Sequence, residues 1–330
     1  MSLDWKFCVA PMMDGTDRHC RYFHRLMTRR ARLYTEMITA DAVINGDRDY
    51  LLGFDQSEHP VALQLGGSDP AKLAEAARIG AEFGYDEINL NVGCPSDRVQ
   101  SGTFGACLMK TPELVAACVA AMRAAVTIPV TVKCRIGVDD QDPDESLFDF
   151  VDLVASGGCE VFIVHARMAW LEGLSPKENR TVPPLDYDLV ARLKRERPDI
   201  TIILNGGVSS LGKASQLLES VDGVMLGRTA YGEPYMLANV DREIFGDERE
   251  LLSRESIARK MSAYLKVQFV NGIRPHSITR HMIGLYHGAP GARRWRRFLS
   301  ENASAARDDL LDHALDHMTS DQLPSTPALA

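Results

Sequence analysis

The sequence predicts an α/β fold: a (β/α)8 TIM barrel followed by an all-α helical bundle. Three observations predict it. Eight short apolar runs alternate with longer amphipathic stretches over residues 1–240. Most of these runs are continuously apolar, the pattern of parallel strands covered on both faces. Beyond residue 240 such runs stop and only helical patterns remain. A doubly wound open sheet is the runner-up, disfavoured because no GxGxxG turn follows the first strand run.

The strand runs are FCVAPM (7–12), LYTEMI (33–38), VALQLGG (61–67), EINLNVG (87–93), VTVKCRI (130–136), VFIVHAR (161–167), TIILNGG (201–207) and GVMLGR (223–228). Helical spacing fills the gaps. Residues 70–84 follow Asp69-Pro70, a capping side chain with proline in the first turn. Residues 112–126 repeat the device after Thr111-Pro112. Further helices are expected at 146–157, 187–197 and 210–220. The barrel is expected to occupy 1–240, with a charged connector at 241–253. Helical patterns at 254–271, 275–287, 291–305 and 307–318 make a bundle over 254–318. The tail, 319–330, is expected to be disordered.

Composition narrows the function. The 330 residues are 45% hydrophobic, enough for one large core and a small second one. No apolar run approaches the roughly 18 residues of a membrane span, and the N-terminus lacks the pattern of a signal peptide. Seven cysteines without CxxC spacing fit a reduced cytoplasmic protein and mark no metal site. The net charge of −8 argues against a nucleic-acid partner, but its distribution argues the other way. Arg293, Arg294, Arg296 and Arg297 flank Trp295, and Arg29, Arg30 and Arg32 form a second cluster.

A closed barrel gathers its strand ends at one mouth, so the polar residues there converge. Met12 and Met13 follow Pro11 at the first. Gln64 lies in the third, Asn91 and Cys94 end the fourth, Lys133 lies in the fifth and His165 in the sixth. Asn205, Gly206 and Gly207 end the seventh, and Gly227 and Arg228 the eighth. Glycines at the ends of the last two strands, Gly206-Gly207 and Gly227, suit a phosphate, with Arg228 adding charge. Gln64, Lys133 and His165 then suit the head of a phosphorylated cofactor, and a flavin mononucleotide (FMN) fits. A cation such as Lys133 beside the ring would stabilise its reduced anionic form. Cys94 stands on a Gly-Cys-Pro turn at a strand's carboxyl end, a candidate acid, base or nucleophile. Gly93 is expected to permit the turn.

At this point APMMDGTDRHCR (10–21), LQLGG (63–67), NLNVGCP (89–95), VKCRIG (132–137), VHAR (164–167), NGGV (205–208) and LGRTAYGEP (226–234) together resemble the tRNA-dihydrouridine synthases. GLSPKENRTVPPLDYD (173–188) is similar to their A subfamily, and the match runs from about residue 7 to 300. Gly15 departs, standing where many relatives carry tryptophan. The resemblance implies NADPH-driven, FMN-dependent reduction of uridine in the tRNA D-loop, at positions 20 and 20a. It implies that Pro11, Met12, Met13, Gln64, Lys133, His165, Asn205, Gly206, Gly207, Gly227 and Arg228 contact FMN, and that Cys94 donates the proton.

The chemistry agrees. The C4 carbonyl polarises the C5=C6 bond of uracil, so C6 takes hydride and C5 then needs a proton, which a protonated thiol can give. Asn91 either holds the base or flavin edge or braces its own loop; Asp97 joins it in the substrate set. The base must leave its stack to be reached. Arg294 and Arg297 are candidates for tRNA phosphates, with Trp295 stacking or packed inward. Lys177, Asn179 and Arg180, in a long loop after the sixth strand, either touch RNA or belong to a connector stiffened by Pro183-Pro184. Two other readings compete: an FMN barrel acting on a small alkene or pyrimidine, and a non-catalytic RNA-binding barrel. The sequence shows no protein partner, and a monomer is the default.

Overall fold

The computed structural model describes residues 4–96 and 104–319. Eight parallel strands close into a barrel in sequence order: β1 (Phe7–Val9), β2 (Arg32–Thr39), β3 (Val61–Gly66), β4 (Glu87–Asn91), β5 (Val130–Arg135), β6 (Val161–His165), β7 (Thr201–Asn205) and β8 (Gly223–Leu226). Each lies within an expected run except β2, which is a residue longer at both ends. Helices Pro70–Glu82, Pro112–Ala125, Pro143–Ser156, Tyr187–Glu196 and Leu211–Leu217 follow β3 to β7. Asp69 caps the first of them, its carboxylate accepting from the N–H groups of Ala71 and Lys72. Asp142 does the same before Pro143 by accepting from Asp144. Thr111 does not: its hydroxyl donates to the Leu108 carbonyl of the preceding 3-10 turn, and helix Pro112–Ala125 starts without a side-chain cap.

The chain divides into two compact units. One comprises 1–18 and 30–227, the other 19–29 and 228–330. The second unit therefore begins before the expected boundary at 240 and also draws in the segment after β1. Within it Tyr22 stacks on Tyr264 at 4.0 Å, and Asp241 accepts from the Thr28 hydroxyl and the Arg29 N–H. Those bonds, invisible in local pattern, hold 19–29 there. Helix Leu310–Thr319 packs on helices Arg254–Val270 and Ala292–Glu301. Trp295 is fully buried among them, its indole N–H donating to the Met282 carbonyl at 2.8 Å.

Inside the barrel, alternate strand residues share one face. Cys8, Ala10, Tyr34, Ala62, Val161, Ile163, Ile203 and Met225 form its apolar filling. Strand β4 is different: Glu87, Asn89 and Asn91, two residues apart, are all polar and buried. Glu87 sits at the amino end, where its carboxylate accepts from the Trp5 indole (2.7 Å), the Tyr34 hydroxyl (2.9 Å) and the Thr131 hydroxyl (2.5 Å). The Arg32 guanidinium lies 3.4 Å away, and both charges are essentially sealed from water. From there the bonds climb. Asn89 donates to Thr131, Gln64 to Asn89 and Asn91 to Gln64, each at 2.7–2.9 Å.

Removing one member of a buried ion pair strands the other charge and costs about 3–5 kcal/mol. Glu87→Gln is expected to lose stability in that range by urea denaturation. Arg32→Met should lose less, because three donors still hold the carboxylate. Equal losses would show that the ion pair, rather than the donor cluster, carries the stability.

Candidate active site

The ladder ends at a thiol. The Asn91 side-chain oxygen accepts from the N–H groups of both Gly93 (3.1 Å) and Cys94 (3.0 Å), turning the chain through Gly-Cys-Pro. The turn therefore comes from Asn91. Gly93 avoids the left-handed region, and an added Cβ would meet the Cys134 and Lys133 backbone at an ordinary 3.4 Å. Of the two readings of Asn91, its oxygen is committed to bracing its own loop. Cys94 is partly exposed, with Sγ 3.4 Å from the Ser96 hydroxyl and its carbonyl accepting from Ala106. Asp97 lies outside the described residues.

The neighbouring strand ends supply the rest of the ring. Lys133 pairs in register with Asn91, and His165 with Asn205. The Lys133 ammonium donates to Asn205 Oδ1 at 3.1 Å, and the Asn205 amide donates to the Met225 carbonyl. Burial, reinforced by nearby Arg135, pulls the Lys133 pKa down to about 8. Its one described partner is a neutral amide, so the charge is left uncompensated. Gly206 and Gly207 both take positive φ, +109° and +66°. A Cβ on Gly206 would strike the His165 ring at 2.4 Å. At the seam, a Cβ on Gly227 would lie 3.6 Å from the Met12 sulfur. Pro11 and Met12 are partly exposed there and Met13 is 60% exposed. At Gly15 a Cβ would come within 3.0 Å of Met12 Cβ, so a larger residue needs the turn to shift.

Arg135 is not among the strand-end residues that the sequence singles out. It stands two residues after Lys133, on the same strand face, and that spacing was the available signal. Burial pulls its pKa down to about 10. Its guanidinium donates to the carbonyls of Gly93 (3.0 Å), Met168 (2.9 Å) and Asn179 (2.9 Å). One side chain thus ties the Cys94 turn to the loop after β6.

That loop corrects one expectation. Asn179 is 0% exposed and cannot reach RNA from within. Its amide instead donates to the carbonyls of Trp170 and Leu174, while its oxygen accepts from the Trp170 N–H. Lys177 and Arg180 on either side are exposed. Arg228, Arg294 and Arg297 belong to the second unit. Arg228 is exposed and opens the short helix Arg228–Gly232. Arg297 is exposed and pairs with Glu301 at 2.7 Å; Arg294 is partly buried. Trp295, 0% exposed, belongs to the core of that unit and offers no stacking face.

A lysine whose folded pKa lies below its unfolded value weakens the fold while it stays protonated, and that penalty fades as pH rises from the folded towards the unfolded pKa. Lys133→Met is therefore expected to be more stable than the wild type below pH 8. The advantage should shrink as the pH climbs through 8 towards the ordinary lysine range. Denaturant midpoints across that range check the sign; a constant difference would place the effect in packing.

A model of the dihydrouridine synthase (Dus) family matches residues 8–321. A Vibrio vulnificus protein described as tRNA-dihydrouridine(20/20a) synthase is 59% identical over 304 residues, covering 92% of this chain and 93% of its own. The protein of the same description from Escherichia coli K12 is 58% identical over 313 residues, covering 94% and 90%. Among solved structures, a 2-naphthoyl-CoA reductase complex superposes with a TM-score of 0.56 at 10% identity, over 71% of this chain and 49% of that one. That likeness concerns the fold alone. The barrel with its ring of polar strand ends, the family match along nearly the whole chain and the identity to these relatives agree: the chain belongs to the dihydrouridine synthase family.

Proposed function

We propose that this protein reduces uridine to 5,6-dihydrouridine in the D-loop of tRNA, at positions 20 and 20a, using FMN and NADPH. The observation that carries the reading is Cys94, held by Asn91 at the carboxyl end of β4 beside a ring of amide, ammonium and imidazole groups. The curated relatives' description names the same reaction on tRNA.

The donor set suits a flavin. Lys133 is a half-buried cation with only a neutral partner, so an electron-rich ring edge would compensate it. The residues within the barrel unit proposed to hold the cofactor are Pro11, Met12, Met13, Gln64, Lys133, His165, Asn205, Gly206, Gly207 and Gly227. A bound reduced flavin supplies the hydride that C6 of uracil accepts. Cys94 Sγ gives its proton to C5, which completes saturation of the C5=C6 bond, and regains a proton from water. Asn91 and Arg135 act on the thiol's position, through the N–H groups and the Gly93 carbonyl. The target base must unstack to reach the thiol, at a cost of a few kcal/mol. Lys177 and Arg180 in the barrel unit, and exposed arginines of the helical unit such as Arg293, Arg296 and Arg297, offset this by binding phosphates. Asp97 is proposed as a further substrate contact. The reading places the protein in the cytoplasm, as a monomer. Among the described residues no helix is long and apolar enough to cross a membrane.

Mapping dihydrouridine in tRNA from a deletion strain tests the proposal. Wild type is expected to restore it at 20 and 20a, and Cys94→Ala to restore almost none. Restoration by Cys94→Ala would remove the thiol from the mechanism. Reoxidation of the reduced flavoprotein by free uracil as fast as by unmodified tRNA would favour a small-molecule oxidoreductase instead. In binding assays, Arg296→Ala should weaken tRNA affinity and lower the salt slope by about 1, as expected for one lost phosphate contact.

A further inference from the structure

We propose that Trp170 is a stacking platform for an unpaired tRNA base next to the target uridine; this rests on the proposed activity. Among the described residues Trp170 is one of few large apolar side chains on the surface, 44% exposed, and its indole N–H makes no hydrogen bond. The backbone beneath it is fixed on both sides. Its N–H donates to Asn179 Oδ1 at 2.7 Å and its carbonyl accepts from Asn179 Nδ2 at 2.8 Å. Asn179 is itself buried, and its own carbonyl is held by Arg135. Ahead of Trp170, Ala169 exchanges bonds with the loop after β5, donating to Gly137 and accepting from Asp139. Behind it, the Leu171 N–H donates to Asp139 Oδ1 at 2.8 Å.

Asp139 adds an independent sign. It holds φ at +54°, a left-handed conformation that costs a non-glycine residue energy. Its backbone and side chain bond the residues on both sides of Trp170, while Lys110 pairs with its other oxygen at 2.6 Å. Strain at Asp139, the buried amide of Asn179 and the buried guanidinium of Arg135 all serve the backbone that displays this one indole.

The position selects the occupant. The loop leaves the carboxyl end of β6, and a single guanidinium separates it from the Cys94 turn. Lys177 and Arg180, exposed in the same loop, supply cations for a backbone. An aromatic face combined with cations is the set of groups that binds unstacked nucleotides without reading sequence. When the target base leaves the D-loop its neighbour loses a stacking partner, and the indole replaces that partner.

The test compares Trp170→Ala, Trp170→Leu and Trp170→Phe on unmodified tRNA transcripts, with thermal melts to show that each is folded. Ala and Leu should raise KM for tRNA about tenfold or more, while Phe, which keeps an aromatic face, should stay near wild type. Of the three tryptophans Trp295 is buried and Trp5 half-buried, so the part of the iodide quenching that is lost in Trp170→Phe reports on Trp170, and tRNA should suppress that part. An unchanged KM in the folded Ala variant overturns the proposal. So does a Leu variant as good as Phe, which would mean apolar cover rather than stacking. A rise in KM for NADPH in place of tRNA assigns the face to the nicotinamide and also overturns it. If the wild type converts uridine and Ala is indifferent, only the stacking falls; if the wild type converts none, the proposed function falls with it.

Discussion

A carboxylate sealed inside the barrel governs this structure. Glu87 has no water to solvate it, so it must be met by protein donors, and three side chains and a guanidinium meet it. Those partners come from the segment before β1, from β2 and from β5. A strand slipped by one residue would turn its inward set outward and leave the charge unpartnered. The apolar filling sets the volume of the interior; the Glu87 cluster selects one register from those the filling would tolerate.

The same polar face carries this order to the chemistry. Glu87, Asn89 and Asn91 are spaced by two, so one strand runs polar groups from the floor of the barrel to its mouth. Each member donates to an oxygen of the one below it. At the top, the oxygen of Asn91 folds the backbone around Cys94. The thiol's position is thus set by a chain of buried hydrogen bonds, where departure of any member strands another. Arg135 completes the fixation from the opposite side and extends it to the loop that displays Trp170.

The two units divide labour by their chemistry. In the barrel unit, buried polar groups face inward and exposed cations sit on the loop after β6. The helical unit hides its tryptophan and shows arginines such as Arg293 and Arg296 on its surface. An overall negative charge is compatible with an anionic partner because the cations are local, and screening confines their influence to about 8 Å at physiological salt.

By itself the sequence determined the eight strands, the helices that follow β3 to β7 and most of the strand-end groups, because apolar periodicity and proline-marked caps are local properties. It also carried the family, through motifs in register along nearly the whole chain. Local signals failed where distant partners decide. Asn179 reads as a polar loop residue free to touch RNA, yet three carbonyls claim its amide and bury it. Thr111 looks like Asp69 before proline, yet its hydroxyl turns back to Leu108. Gly93 looks like the cause of its turn, yet Asn91 makes it. Residues 19–29 look like barrel, yet Tyr264 and Asp241 take them. Glu87 gave no local sign of its reach, and Arg135 only its spacing from Lys133. Such roles arise when closure of the barrel brings strand ends from far along the chain within hydrogen-bond distance, and only the tertiary structure sets which donor meets which acceptor.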